Sequence, residues 1–251
     1  MRIVPMGVVA LLSAVTPQFH ASADILGSAQ QLAVLGGSTV TNTGPTVITG
    51  SLGVWPGTAV TGFPPGIVLS GSIHLGDAVA QQAQADVTTA YNDLASMAPT
   101  TILTGTDLGG LILTPGVYFF ASSAFLTGTL TLDAQGDPNA LFVFQMGSTL
   151  ITAPNSAVVS INSADACDVY WQVGSSATLD TNTAFQGNIL ALASITMNTG
   201  ATLLEGRALA RTGAVTMDTN RIIAGCIPTP GAAMVFGTAS LAAVAVRRRK
   251  H

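Results

Sequence analysis

The chain has 251 residues, of which only 8% are charged, and a formal net charge of −4, where an ordinary soluble domain carries roughly 25% charged residues. Between Arg2 and the closing run Arg247, Arg248, Arg249 and Lys250 the only cations are Arg207, Arg211 and Arg221, set against twelve carboxylates from Asp24 to Asp218. That balance excludes a phosphate-binding surface and hence nucleic acid as a partner, and one histidine in the working body, His74 (His20 and His251 lie in the terminal segments), leaves little room for a His-based triad or a His-rich metal site.

In chain order, residues 1–23 read as a secretory signal: Arg2 is a short basic region, Ile3 to Val15 is apolar, and Ala21-Ser22-Ala23 is a small-x-small cleavage site. From Leu26 to Ile73, short β-branched runs alternate with turns: Ser38-Thr39-Val40-Thr41, Thr46-Val47-Ile48-Thr49 and Ile67-Val68-Leu69-Ser70, punctuated by Gly44-Pro45, Pro56-Gly57 and Pro64-Pro65-Gly66. The period then changes. Val79, Ala83, Val87, Ala90, Tyr91 and Leu94 recur at helical spacing, Asp77 is placed to cap the run and Pro99 to end it, which predicts one amphipathic helix over about 75–97.

After the helix the strands return and repeat. Thr129-Leu130-Thr131-Leu132, Thr149-Leu150-Ile151-Thr152, Ala177-Thr178-Leu179-Asp180, Ile195-Thr196-Met197-Asn198 and Val215-Thr216-Met217-Asp218 look alike, at steps of about twenty residues. A second series runs beside it, from Leu141–Gln145 through Asp168–Gln172 and Ile189–Leu192 to Arg207–Ala210. Such self-similarity is the mark of stacked coils that bury an inner face jointly, as in a β-helix. Cys167 and Cys226, the only cysteines, are a candidate disulfide in an exported chain.

The end of the chain has a helix-incompatible linker, Pro228-Thr229-Pro230-Gly231, then fifteen uncharged residues from Ala232 to Val246, then the basic stop. The layout resembles the bacterial Pro-Glu-Pro C-terminal sorting signal, with Thr229 where that signal has Glu. The expected division is therefore signal 1–23, body 24–227 and sorting or anchor segment 228–251, with membrane contact only through the last.

Within the body, the residues are similar to those of the microbial ice-binding-like domain family. Leu35-Gly36-Gly37-Ser38-Thr39-Val40-Thr41-Asn42, Gly50-Ser51-Leu52-Gly53, Ala83-Gln84-Ala85-Asp86, Asp107-Leu108-Gly109-Gly110, Thr114-Pro115-Gly116-Val117-Tyr118, Phe142-Val143-Phe144-Gln145 and Gly206-Arg207-Ala208-Leu209-Ala210 carry the resemblance, in family order. It implies a mainly β fold: a right-handed, discontinuous β-helix of triangular section with the long helix along one side. It also implies ice as the partner, adsorbed on one flat β-face.

The family's looser signature, Thr, Ala or Gly, any residue, Thr or Asn, occurs at Thr43–Thr46, Thr58–Thr61, Thr152–Asn155 and Thr199–Thr202. With neighbours at the same corner, the candidate ice contacts are Thr43, Thr46, Thr58, Thr61, Thr152, Asn155, Thr181, Thr183, Thr196, Asn198, Thr199 and Thr202. A fifth match, Thr89–Asn92, falls in the predicted helix. Threonine suits an ice contact because its methyl excludes water, its hydroxyl orders water, and β-branching stiffens the rotamer.

An enzyme on such a scaffold needs clustered carboxylates. Asp133 with Asp137 and Asp165 with Asp168 are the candidate pairs, but both sit in turns where Asp commonly caps its own backbone. His74 reads as a surface or capping residue, and Arg207 and Arg211 as structural residues that hold neighbouring coils, or else pair with Glu205 or a nearby Asp. The expectation is a monomeric, non-enzymatic, exported ice-binding protein with no cofactor and no metal; the alternative on the same scaffold is a cell-surface or extracellular-matrix structural module.

Overall fold

Runs of three to five residues, alternately inward and outward, suit strands that are each one edge of a coil, and this is how they are used. The computed structural model describes residues 25–225. The signal and the sorting segment, Cys226 and Ala232–Val246 included, lie outside the described residues. The body is mainly β with a single α-helix, Ala78–Ser96, and every strand pairing is parallel.

The pairing forms three ladders, β-helix-like, with one strand of each coil in each ladder. The first runs from Thr101–Ile102 through Gly116–Phe120, Phe142–Met146 and Val169–Val173 to the second half of Ala184–Ala191 and of Thr202–Ala210. The second runs from Ala124–Leu126 through Leu150–Thr152, Ala177–Leu179 and Ile195–Met197 to Val215–Asp218. The third links Ile112–Leu113, Thr129–Asp133, Ala157–Ile161, the first half of the two long strands, and Arg221–Ile223. The sequence repeat placed Thr129–Leu132 with the second ladder; it lies in the third, beside Ala157–Ile161, and Ala124–Leu126 takes its place because Ala124 pairs with Leu150.

The first residues of the body stack on the last. Val34 pairs with Ala208, Val40 with Val215 and Val47 with Arg221, so the N-terminal coils extend all three ladders beyond the C-terminal one. The chain must then return to the far end, and the helix spans that distance. Asp77 caps it, its carboxylate accepting from the Ala80 amide at 2.9 Å, while His74 Nδ1 lies 2.8 Å from the same carboxylate. Ala83, Val87, Ala90, Tyr91 and Leu94 bury against Leu35, Leu209, Leu190, Tyr170 and Val143 of the first ladder. Gln145 donates to the carbonyls of Leu94 and Met97 at 2.6 and 2.9 Å, satisfying the helix C-terminus, and Ser28 binds Asp86 through both amide and hydroxyl.

Inside, residues in register fill a common column. Tyr118, Phe144 and Trp171 stack with ring centres 5.3 and 4.0 Å apart, and the same column continues through Ile189, Ala208, Val34 and Leu52. The two long strands cross from third to first ladder at a register shift between Gln186 and Gly187, opposite Glu205, which takes φ +54°. This kink leaves Glu205 out in solvent and Arg207 buried under the Gly27–Gln31 turn, on the side of the strand opposite Ala208, so the expected Arg207–Glu205 pair does not form. Instead the buried guanidinium donates to the carbonyls of Gln30 and Gly225 and to Asn188 Oδ1, at 2.7 to 2.9 Å, and burial lowers its pKa to about 10. Arg211 lies over the Tyr91 ring, 4.4 Å from its centre.

Removing one partner of a buried charged network strands the others. We expect Arg207→Ala to lower unfolding free energy by about 3 kcal/mol, read as a lower urea midpoint at unchanged slope. Several carboxylates are held below their ordinary range by hydrogen bonds that exist only in the fold: Asp77 by the Ala80 amide and His74, Asp180 by Asn198 and the Thr181 amide, Asp218 by Thr199 and Thr219. Their contribution is present above the unfolded value of 3.8 and is lost as pH falls through the lower folded values. The melting temperature should therefore be flat over about pH 5–8 and fall below about pH 4.

Candidate functional site

A flat adsorbing face needs a ladder that is uncovered, unkinked and free of mobile charge. The first ladder is covered by the helix and by the short turn Gly27–Gln31, and its central strands are buried on both sides. The third is interrupted by the Gln186/Gly187 shift, carries exposed Arg221 and Glu205, and mixes outward aliphatic residues, Ile67, Leu69, Val159 and Ile161, with polar ones such as Thr129, Asp133 and Gln186. The second is neither covered nor shifted between its strands.

On the second ladder one residue of each strand points outward, in one row in register: Phe125, Ile151, Thr178, Thr196, Thr216, Thr41, Thr61. Its neighbours point in: Ala124, Leu150, Ala177, Ile195, Val215 and Val40 on one side, Leu126, Leu179, Met197 and Met217 on the other, all buried. Five successive ranks are thus threonine, spaced roughly 4.7–4.9 Å apart. Thr41 Oγ1 donates to Thr216 Oγ1 at 3.3 Å, so the row is coupled along the stack.

Two flanking rows complete the face, since every second residue of a strand shares a side. Two positions earlier stand Ser123, Thr149, Ser176, Ser194, Ala214, Thr39 and Ala59, small and mostly hydroxylated. Two positions later stand Thr127, Ala153, Asp180, Asn198, Asp218 and Thr43. The two carboxylates here are tied down. Asp180 accepts from Asn198 Nδ2 at 2.9 Å and the Thr181 amide at 2.7 Å, while Asp218 accepts from the hydroxyls of Thr199 and Thr219.

Of the twelve sequence candidates, Thr61 and Thr196 stand in the threonine row, and Thr43 and Asn198 in the flanking row. Thr181, Thr199 and Asn155 lie at the corner beyond it, Thr58 lies at the start of the end strand's turn, and Thr202 faces out from the third ladder. Thr46, Thr152 and Thr183 cannot touch an outside surface: they are at most 1% exposed. Thr46 Oγ1 accepts from the Asn220 amide, and Thr152 and Thr183 bond each other at 2.8 Å inside the corner. The four-residue signature keeps no fixed place relative to the corner or the face. Its left-handed residue is the second in Thr43–Thr46 and Thr199–Thr202 (Gly44, φ +81°; Gly200, φ +77°) but the fourth in Thr152–Asn155 (Asn155, φ +60°). That slip turns Thr152 into the inward column, beside Leu179. Sequence reading missed Thr41, Thr178 and Thr216. For Thr178 and Thr216 the signal was the alternation itself, a threonine between two apolar residues; Thr41 has Val40 on one side and Asn42 on the other.

The acidic pairs weighed for catalysis serve turns. Asp133 accepts from the Gln135 amide and Asn162, Asp137 from the Asn139 amide, and Asp165 from the Cys167 amide. Among the described residues no group of three or more His, Cys, Asp or Glu is placed to hold a metal ion.

Known proteins share this arrangement. A 61% identical protein of Nostoc sp. (strain HG1), named an ice-binding protein, aligns over 90% of this chain and 83% of its own length. Among solved structures, an ice-binding protein from an Antarctic biological consortium is 48% identical with a TM-score of 0.76, over 88% of this chain and 96% of its own. One from the Antarctic ascomycete Antarctomyces psychrotrophicus is 42% identical with a TM-score of 0.77, over 80% and 98%. The profile of the Ice-binding-like family matches residues 34–223, which takes in all three ladders and the helix, and the chain belongs to that family.

Proposed function

We propose that this protein binds ice through the second ladder and thereby slows ice growth and recrystallisation. The observation that carries the reading is the row Thr178, Thr196, Thr216, Thr41 and Thr61, flat, uncovered and in register. Its spacings, roughly 4.7–4.9 Å between ranks and about 6.6 Å between same-side residues of a strand, approach repeats of the ice lattice. The methyls exclude water and the hydroxyls hold ordered water at lattice positions; restricted χ1 means little entropy is lost on adsorption. An adsorbed molecule pins the advancing front, the front curves between pinned points, and growth there slows. No bond is made or broken, and no cofactor takes part.

The body acts as a monomer, a right-handed coil of triangular section whose other two faces are the helix-covered first ladder and the mixed aliphatic and polar third ladder. It works outside the cytoplasmic membrane, brought there by the 1–23 signal and held or sorted through 228–251. We infer that Cys167 and Cys226 form a bridge. Asn188 Nδ2 holds the Cys167 carbonyl at 3.0 Å and Arg207 Nη2 holds the carbonyl of Gly225, the residue before Cys226, at 2.7 Å; Arg207 and Asn188 bond each other. One buried pair thus anchors the chain on both sides of the bridge.

The denatured, unreduced protein should therefore contain no titratable thiol, and reduction should lower stability by roughly 2–4 kcal/mol; two thiols per chain would contradict the bridge. Thr196→Tyr, in the middle of the row, should abolish most thermal hysteresis and recrystallisation inhibition at an unchanged melting temperature. Thr202→Lys, on the third ladder, should leave both intact. Full activity in Thr196→Tyr would remove the second ladder from consideration.

A further inference from the structure

The outer row changes chemistry before its backbone ends. Ala124–Leu126 and Leu150–Thr152 continue the ladder in register, Phe125 beside Ile151 and Ile151 beside Thr178, so the two positions stand in the same row as the five threonines. Both side chains are out in solvent, Phe125 48% and Ile151 37% exposed. Their inward neighbours Ala124, Leu126 and Leu150 are buried, as are Ala177, Leu179, Ile195, Met197, Val215 and Met217 behind the threonines. The column of buried residues therefore holds these two strands in the plane of the face, and only the outward chemistry differs.

Neither residue carries a hydroxyl to order water, and the Phe125 ring rises well above the level of a threonine γ-carbon. A plane of ice in contact with Thr178 through Thr61 meets that ring as a step at one end of the row. In the flanking row at these same ranks, Ser123 and Thr149 bond each other at 2.7 Å and so offer less to an outside lattice. No core function demands the two apolar residues at these positions, because nothing packs over them among the described residues and both strands are already held by inward neighbours.

We propose that Phe125 and Ile151 set the working length of the adsorbing face: they end it after five ranks on a scaffold built for seven, and so determine how much of the ladder engages ice. The inference rests on the ice-adsorbing reading of the second ladder and adds to it the residues that limit its extent. Threonine at both positions, a strong strand former with an outward environment already matched to it, would lengthen the continuous row by two ranks, from about 19 to about 29 Å.

The test compares the full-length chain with its F125T/I151T variant by thermal hysteresis at equal concentration, with the melting temperature as the check on folding. Contact free energy grows with the area engaged, and two added ranks should raise hysteresis by roughly 1.5- to 2-fold. A folded variant with hysteresis unchanged or lowered would overturn the proposal, and a fall would make the two residues ice contacts themselves. A wild-type chain without hysteresis would overturn the ice reading underneath it, a different failure that the same experiment distinguishes. If the double variant does not fold, Phe125→Ala and Ile151→Thr are measured singly: a partial gain in either supports the limit, and no gain in both overturns it.

Discussion

Register between successive parallel strands decides what every face of this molecule can present. Each rank is one coil, and a one-residue slip would turn an entire row from outside to inside. Register is fixed from within. The column Tyr118, Phe144, Trp171, Ile189, Ala208, Val34 and Leu52 steps from aromatic to small to aliphatic, so each rank accepts its neighbour in one position only. The outward threonines inherit their spacing from this packed column. The face we propose for adsorption is therefore held by the core behind it, which is what a surface matching a crystal requires.

Two devices close the stack. The N-terminal coils are laid on the C-terminal one, so the end that would be a free edge after Val215–Asp218 is paired with Thr39–Thr43. The buried Arg207, with Asn188, ties the carbonyl ahead of the described C-terminus to the turn that carries Gln30. Both devices join residues far apart in the chain, at the junction between its first and last coils. A small interior of Ala, Val and Leu holds together here because the contacts around this junction tie chain beginning to chain end.

Much of this was legible in the sequence. The helix, its Asp77 cap and most strand runs follow from spacing and turn residues, and the role of the acidic pairs as turn caps follows from their Gly and Asn surroundings. The assignment of threonines to a face was less legible. The four-residue signature begins two positions after the outward residue Thr41 at Thr43 but one position after Ile151 at Thr152, so it points Thr43 outward and Thr152 inward. Strand alternation within Ile195-Thr196-Met197 and Val215-Thr216-Met217 is the sounder guide, because the apolar neighbours state which side is in. Nor does any local pattern place Val40 beside Val215. That contact is set by the helix carrying the chain back along the stack, a tertiary fact with no periodicity of its own. The burial of Arg207 under the Gly27–Gln31 turn depends likewise on the left-handed Glu205 opposite a register shift.

A threonine row that meets a crystal surface of matching repeat must choose particular planes of that crystal. Growing a single ice crystal slowly from a dilute solution of the fluorescently labelled protein, and imaging where the label enters, reads that choice. We expect label concentrated on defined crystal planes, and no such pattern when Thr196 is replaced by tyrosine. Exclusion of the wild-type label from the ice would contradict adsorption through this face.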